Sequence, residues 1–346
     1  SGTVGTVILN RPKAMNALTL DMVKQIYLIL KKWESTKDLV LMTSSSDKIF
    51  CAGGDLSLIY QALSKGPTET YTEDLLENMF RINYLLYTYK KPYVAVINGI
   101  TIGGGAGLSI HGKYSIATDK TKFSMPEVRL GHYPDNGGTY FLPKLRGQLG
   151  MYLGLTGRSL KGLDVKLAGL ATHYVLSSNV QHMINELMLS GGRNVEKILN
   201  SYEDPSTADF TLAPYADKID TYFSAGSIEE IMARLRNDGG EWAKGVLEDL
   251  MKMSPLALKI AHKIINRGRN LTLAECLVME NRLLYSMAYS NDMKNGIYEG
   301  IRALIIDKDK KPAWKLRTLE EVTDDYLEGL LKTIPANGDL EFPHER

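Results

Sequence analysis

The sequence predicts a mixed α/β (α+β) fold made of stacked β-β-α units, followed by a helical C-terminal region. Three observations lead to this prediction. Short apolar runs that are typical of strands occur in pairs, and single helices separate the pairs. Glycine clusters stand where strands meet helices, and helical periodicity dominates after residue 177. Because the strand pairs are unevenly spaced, the pattern does not favour a simple doubly wound sheet.

The first half supplies all the predicted strands. They cover residues 6–9, 39–43, 93–97, 99–102, 114–118 and 122–125. Helices are predicted at 20–33, 56–63, 74–87 and 103–111, with a glycine turn at 50–55. The first helix is expected because apolar side chains from Val23 to Trp33 recur on one face and Thr19 precedes it as an N-cap.

The second half reads as helices joined by polar loops. The helices are predicted at 180–189, 228–235, 241–251, 256–265 and 273–289, the loops at 190–193 and 201–209, and a charged tail at 307–346. We therefore divide the chain into residues 1–177, a core that carries the functional site, and residues 178–346, a helical region that packs on the core.

Composition limits the classes of function. The chain has 346 residues, of which 44% are hydrophobic and 23% charged, and its formal net charge is +1. A charge so near zero does not indicate a general nucleic-acid-binding surface. No apolar run approaches the ~20 residues that span a bilayer. Two cysteines in a chain of this length suggest a reducing compartment. We expect neither direct nucleic-acid binding nor a membrane partner.

Two glycine clusters could bind an oxyanion through backbone amides. Gly103 to Gly105 stand at a strand–helix junction, where the first amides of the helix lack intrahelical acceptors and carry partial positive charge. The turn at Gly53 and Gly54 could offer another N–H group. Two donors aimed at one oxygen would form an oxyanion hole. The simpler alternative is that these glycines serve tight turns and close packing.

Glu127 and Asp135 are the candidate ionisable groups. In a water-poor site a carboxylate gains basicity, and a second carboxylate nearby raises one pKa further. One group could then act on water or carbon while the other binds the substrate. The alternative for each is a solvated surface acid. His132, between them, could line the pocket, but the favoured interpretation is a polar loop histidine. Cys51 is interpreted as a buried structural thiol. The six histidines show no metal-ligand spacing, so no metal site is predicted.

Several segments together resemble the crotonase superfamily of enoyl-CoA hydratases and isomerases. They read LNRPKAMNAL at 9–18, FCAGGD at 50–55, KPYVAVING at 91–99, IGGG at 102–105 and MPE at 125–127. The resemblance implies the crotonase-like spiral of stacked β-β-α units. It also implies an acyl-coenzyme A substrate.

Further segments are similar to the 3-hydroxyisobutyryl-CoA hydrolase branch of that superfamily. They read GITIGGGAGLSIHG at 99–112, YPD at 133–135 and EGIRALIIDKD at 299–309, followed by Pro312 and Trp314. Enoyl-CoA hydratases carry a glutamate where this chain has Gly107 and a glycine where it has Asp135. The branch implies hydrolysis of 3-hydroxyisobutyryl-CoA to 3-hydroxyisobutyrate and coenzyme A, a step of valine degradation.

The resemblance also implies roles for particular residues. Gly54 and Gly104 would supply the oxyanion N–H groups. Glu127 would be the catalytic carboxylate, either attacking the thioester or activating water. Asp135 would anchor the substrate 3-hydroxyl. The residues expected to border coenzyme A are Lys13, Ala52, Gly54, Asp55 and Leu56.

No separate cofactor is expected, because coenzyme A is part of the substrate. The family pattern leaves room for a homo-oligomer. It places a eukaryotic member in the mitochondrial matrix and a bacterial one in the cytoplasm.

Two departures from the family pattern bear on activity. Many of these hydrolases have a pocket-lining glutamate where this chain has Met79, and Glu77 nearby is out of phase. The segment 128–132 is more polar than the family's small or apolar residues. Two alternatives to the hydrolase therefore stay open: an enoyl-CoA hydratase or isomerase, and a non-catalytic paralogue that serves as a scaffold, for example in a mitochondrial ribosome.

Overall fold

The computed structural model describes residues 2–66 and 69–342. Nine strands alternate with helices through its first half. The strands are β1 (Val4–Leu9), β2 (Leu39–Ser44), β3 (Ile49–Cys51), β4 (Tyr93–Ile97), β5 (Ile100–Ile102), β6 (Tyr114–Ala117), β7 (Lys122–Ser124), β8 (Leu160–Lys161) and β9 (His173–Tyr174). The six predicted strands are confirmed, and the pairs β4–β5 and β6–β7 follow one another as expected. The sequence did not predict β3, whose last two residues begin the segment interpreted as a turn at 50–55.

Sixteen α-helices are present among the described residues. They are α1 (Leu20–Thr36), α2 (Leu56–Lys65), α3 (Tyr71–Tyr87), α4 (Gly104–Ile110), α5 (Gly138–Phe141), α6 (Leu149–Thr156), α7 (Leu163–Leu167), α8 (Val180–Ser190), α9 (Val195–Tyr202), α10 (Ala216–Phe223), α11 (Ile228–Asp238), α12 (Glu241–Met251), α13 (Pro255–Gly268), α14 (Leu273–Tyr289), α15 (Glu299–Ile301) and α16 (Asp324–Lys332). Two π-helical turns, Lys294–Tyr298 and Arg302–Ile306, flank α15.

The chain forms two compact units that interleave along the sequence. The first comprises Ser1–Asp55, Asn78–Ser124 and Ser159–Ala213, and the second comprises Leu56–Glu77, Met125–Arg158 and Pro214–Arg346. Helices α8 and α9, which follow residue 177, belong to the first unit. The division into domains after residue 177 stays a prediction.

Both sheets lie in the first unit. One has the order β1-β2-β4-β6-β9 and is parallel throughout, and the other has the order β3-β5-β7-β8. Parallel strands buried on both faces need continuous apolar runs, and β4 is buried at every position. One face of the larger sheet packs against α8 and α9 in a core that includes Leu41, Val96 and Leu199.

The second unit is built mainly from helices. Helix α13 packs on α5 and α6, and α14 packs on α5 and α16. The start of α14 is a capping box in which Thr272 and Glu275 exchange hydrogen bonds with each other's backbone. The predicted helices at 241–251 and 273–289 have the observed bounds.

The charged tail predicted at 307–346 contains a helix that the composition hid. Helix α16 begins after Thr323, whose side chain accepts a hydrogen bond from Tyr326 N. It buries Leu327, Leu330 and Leu331 at helical spacing, although four of its nine residues are charged. The last four residues of the predicted tail, 343–346, lie outside the described residues.

Two further observations concern the environment of the chain. Within the described ranges, no helix combines the length and apolar character that crossing a bilayer requires. Both cysteines are buried free thiols.

Candidate active site

In the first unit, the segment before α1 fixes the shape of the 52–55 turn. Asn16 is fully buried, and its Nδ2 donates to the carbonyl oxygens of Ile49 at 3.2 Å and Phe50 at 3.0 Å. Leu18 N donates to Gly53 O at 2.8 Å, and Asp55 N donates to Leu18 O at 3.0 Å. The LNRPKAMNAL motif therefore acts as a clamp on the glycine turn.

The two glycine clusters of the first unit adjoin one another. A Cβ on Gly53, where φ is +88°, would lie 3.2 Å from Ile102 O and 3.4 Å from Gly104 N. A Cβ on Gly105 would lie 2.5 Å from Cys51 O, closer than a real side chain allows. These glycines therefore do serve close packing, as the simpler alternative holds. The same packing places the Gly53–Gly54 peptide beside the backbone amide of Gly104, the first residue of α4.

The surroundings of Gly104 are apolar. Its Cβ position would lie 3.4 Å from Leu18 Cδ1 and 3.5 Å from Met79 Cε. First-turn amides of a helix have no intrahelical acceptor, so Gly104 N is oriented for an acceptor from outside the helix. The departure at Met79 is therefore located beside a predicted oxyanion donor, where it replaces a carboxylate with a methyl group.

The residues expected to border coenzyme A have different environments. Half-buried positions are occupied by Ala52, Gly54 and Leu56, and Lys13 is exposed in a 3₁₀ turn. Asp55 is buried, and its Oδ2 accepts from Arg11 Nη1 at 2.7 Å. Asp55 therefore has a structural partner, while contact of the other residues with coenzyme A remains a prediction.

Cys51 has the properties of an unreactive thiol. It is fully buried, and burial raises its pKa to about 12. The thiolate is the nucleophilic form, so a thiol held neutral in this way is a poor nucleophile. The interpretation as a structural cysteine is confirmed.

In the second unit, Glu127 is a buried acid with an unused oxygen. It begins a 3₁₀ turn after Pro126, and the residue is 8% exposed. Its Oε2 has no hydrogen-bond partner among the described residues. Burial raises the pKa of Glu127 well above its usual range, and the nearby charges of Asp135 and Glu280 raise it further. Glu127 is therefore not a solvated surface acid.

Asp135 is also buried and lies in the electrostatic field of Glu127. Its Oδ1 accepts from Asn136 Nδ2 at 2.6 Å, and its Oδ2 lies 3.5 Å from His132 Nε2. His132 lies in a loop, as the favoured interpretation had it, but it is 3% exposed, so it is a buried histidine and not a solvated one. Arg129, the other polar departure in this segment, is exposed.

The loop that carries these residues packs closely against residues 296–314 of the same unit. A Cβ on Gly131 would lie 2.7 Å from Trp314 Cζ3, and one on Gly300 would lie 2.2 Å from Leu130 O. Trp314 and Gly300 belong to the part of the sequence, 299–314, that resembles the hydrolase branch of the family. Their structural role is to support the 127–135 loop.

Sequence reasoning missed Glu280, which is fully buried on α14. Its Oε2 accepts from Gly137 N at 2.9 Å, and its Oε1 accepts from Thr139 N at 3.2 Å and Thr139 Oγ1 at 2.6 Å. Burial raises its pKa to about 8 despite these hydrogen bonds. The signal was present: Glu280 stands at helical spacing within the buried stripe that includes Leu277 and Leu284.

The first unit holds the parallel sheet and the helix that begins at a glycine cluster, and the second unit holds the buried acids. The chain belongs to the enoyl-CoA hydratase/isomerase family, whose model matches residues 4–331. Among its relatives is the mitochondrial 3-hydroxyisobutyryl-CoA hydrolase of Xenopus laevis, 44% identical over 96% of this chain and 88% of that protein. The human protein of the same name is 42% identical over 99% of this chain and 89% of its own length.

Two solved structures share the fold closely. A carnitinyl-CoA dehydratase from Mycobacterium thermoresistibile superposes with a TM-score of 0.90 at 33% identity, covering 99% of this chain and 97% of that one. An enoyl-CoA hydratase from Rhodobacter sphaeroides superposes with a TM-score of 0.88 at 32% identity, covering 98% and 97%. The predicted crotonase-like fold is confirmed. The names of these proteins describe addition or removal of water, whereas the relatives above are named hydrolases.

Proposed function

We propose that this chain hydrolyses the thioester of 3-hydroxyisobutyryl-CoA to 3-hydroxyisobutyrate and coenzyme A. The observation that carries the proposal is the buried Glu127 carboxylate, which has an unpartnered oxygen and lies in the field of Asp135. A base that takes a proton from water, or a nucleophile, needs such an oxygen facing the reactants. The hydrolase names of relatives above 40% identity support the same reaction.

The proposed chemistry breaks the C–S bond and adds the elements of water across it. Glu127 either takes a proton from the attacking water or attacks the acyl carbon and is regenerated by water. In both routes coenzyme A leaves as a thiolate and takes up a proton. The tetrahedral oxyanion would be stabilised by the amides of Gly54 and Gly104, each worth ~10²–10³ in rate. Asp135 would bind the 3-hydroxyl, and no metal or separate cofactor takes part.

A hydratase is the second candidate, because both close structural neighbours have hydratase or dehydratase names. In the enoyl-CoA hydratases that this chain resembles, a pair of glutamates performs hydration. Here the second position is Gly107, a buried residue inside α4. Since glycine can neither accept nor deliver a proton, hydration by two acids lacks one of its groups.

A side-by-side assay separates the candidates. We expect 3-hydroxyisobutyryl-CoA to release free thiol, measured with a chromogenic disulfide, and crotonyl-CoA to keep its absorbance at the enoyl thioester band. Loss of that band without thiol release would contradict the hydrolase and favour the hydratase. Inertness to both substrates would favour a non-catalytic scaffold.

The pH dependence of kcat/KM is expected to report Glu127. The acid must be ionised to act, so activity falls as the pH drops through its raised pKa. In Asp135→Asn one of the charges that raise this pKa is gone, and the acidic limb should move to lower pH. Burial is the larger cause and persists, so the limb should remain above pH 4.5. An unmoved limb in Asp135→Asn, measured over pH 4–9, would contradict the coupling.

The relatives also bear on compartment and partners. Their names include the word mitochondrial, which supports the mitochondrial matrix if this chain comes from a eukaryote. The family implies an acyl-CoA substrate as the small-molecule partner. A homo-oligomer remains part of the proposal.

A further inference from the structure

His132 is a buried polar side chain without an assigned partner. The residue is 3% exposed, and neither ring nitrogen has a hydrogen-bond partner among the described residues. Its backbone N donates to Glu127 O at 3.0 Å, and its ring packs on Tyr133 with centroids 4.2 Å apart. A buried donor left without an acceptor costs ~1–3 kcal/mol, so such a group calls for a ligand or water. Glu127 Oε2 has the same property.

The imidazole of His132 faces the Oδ2 atom of Asp135. Asp135 Oδ1 already accepts from Asn136 Nδ2, which leaves Oδ2 toward His132 Nε2 at 3.5 Å. This separation exceeds that of a good N–H···O hydrogen bond. It does allow one oxygen atom to lie within ~2.8 Å of both the imidazole and the carboxylate.

A hydroxyl group suits this pair of side chains. It has one donor and two acceptor lone pairs, while a carboxylate can only accept. Asp135 alone would therefore leave the lone pairs of a buried hydroxyl without a donor. His132 Nε2–H supplies that donor, either in the neutral tautomer protonated at Nε2 or as imidazolium.

We propose that His132 is a specificity-determining residue that binds the 3-hydroxyl of the acyl group together with Asp135, as donor and acceptor respectively. The inference rests on the proposed function and narrows it to acyl groups with a hydroxyl at this carbon. An analogue without the hydroxyl leaves both side chains unpartnered. A 3-oxo group accepts from His132 but turns an oxygen toward the Asp135 carboxylate, so it is also disfavoured.

The ring nitrogens can be removed while the packing on Tyr133 is kept. His132→Phe retains an aromatic ring, and His132→Leu provides a second apolar replacement if phenylalanine does not fit. We expect either variant to lower kcat/KM for 3-hydroxyisobutyryl-CoA by about ten- to a hundredfold, with little change for isobutyryl-CoA. His132→Gln places an amide donor at similar reach and should restore part of the loss.

The matched control is His262→Leu. His262 is another buried histidine of the second unit, but its Nε2 faces Ala225 O at 3.0 Å, so the ratio of the two substrates should not change. Equal losses on both substrates in the His132 variants, or an unchanged ratio, would overturn the proposal. Failure of the wild-type protein to release thiol from either substrate would instead overturn the hydrolase function itself.

Discussion

Replacing Glu127 with glutamine is expected to lower kcat for thioester hydrolysis by at least ~10²–10⁴-fold. Glutamine keeps the shape of the side chain but neither accepts a proton from water nor attacks the acyl carbon. Affinity for coenzyme A itself should be unchanged, because Glu127 is proposed to act at the acyl end. Thiol release measures the first quantity and calorimetric titration with coenzyme A the second.

A buried acid elsewhere on the chain provides the control for this substitution. Glu73 is also 8% exposed, and burial raises its pKa, but the nearby charges that it senses are those of Asp74 and Glu69. Glu73→Gln makes the same chemical change and should leave kcat within a few-fold of the wild-type value. If Glu127→Gln retains activity within tenfold, the role proposed for Glu127 is wrong.

Replacing Glu280 with alanine is expected to reduce the free energy of unfolding by about 3 kcal/mol or more. Three donors lose their acceptor: Gly137 N, Thr139 N and Thr139 Oγ1, each at ~1–3 kcal/mol when left buried and unsatisfied. Urea denaturation measures the loss. Glu275→Ala on the same helix removes only an exposed capping-box acid and should cost about 1 kcal/mol. Equal effects of the two variants would contradict the buried role of Glu280.

Glu280 should also make stability depend on pH. Its pKa rises from 4.5 to about 8 on folding, so the folded state binds this proton more tightly than the unfolded state. The corresponding stabilisation is complete below pH 4.5 and is lost as the pH rises through about 8, amounting to a few kcal/mol. The unfolding free energy of the wild-type protein should therefore fall more steeply between pH 5 and 9 than that of Glu280→Gln. Glu127 contributes with the same sign in both proteins, so the slope does not vanish.

Local patterns predicted much of the fold. The buried parallel strands needed apolar runs such as 93–97, and amphipathic helices such as α12 and α14 needed apolar side chains at helical spacing. Both patterns can be recognised from residues that lie close together in the sequence. Helix α16 was missed because its segment is rich in charged residues. The signals for it were the N-cap Thr323 and a short apolar stripe of three leucines.

The candidate site was only partly predictable because its support comes from distant segments. The motifs identified Glu127 and Asp135, since both stand in short segments typical of the family. Glu280 is 143 residues away from Gly137 in the chain, and no local pattern indicates that α14 packs on that turn. The burial of His132 likewise depends on Gly131 packing against Gly296 and Trp314. Only the fold reveals such partners.

The most direct test of the central claim is a crystal structure of Glu127→Gln with 3-hydroxyisobutyryl-CoA bound. We expect the thioester carbonyl oxygen to lie ~2.7–3.1 Å from both Gly54 N and Gly104 N. The residue 127 side chain should lie ~3–3.5 Å from the carbonyl carbon or from a water molecule that faces it. A carbonyl oxygen that contacts neither amide, or a residue 127 side chain that faces away from the thioester, would contradict the claim.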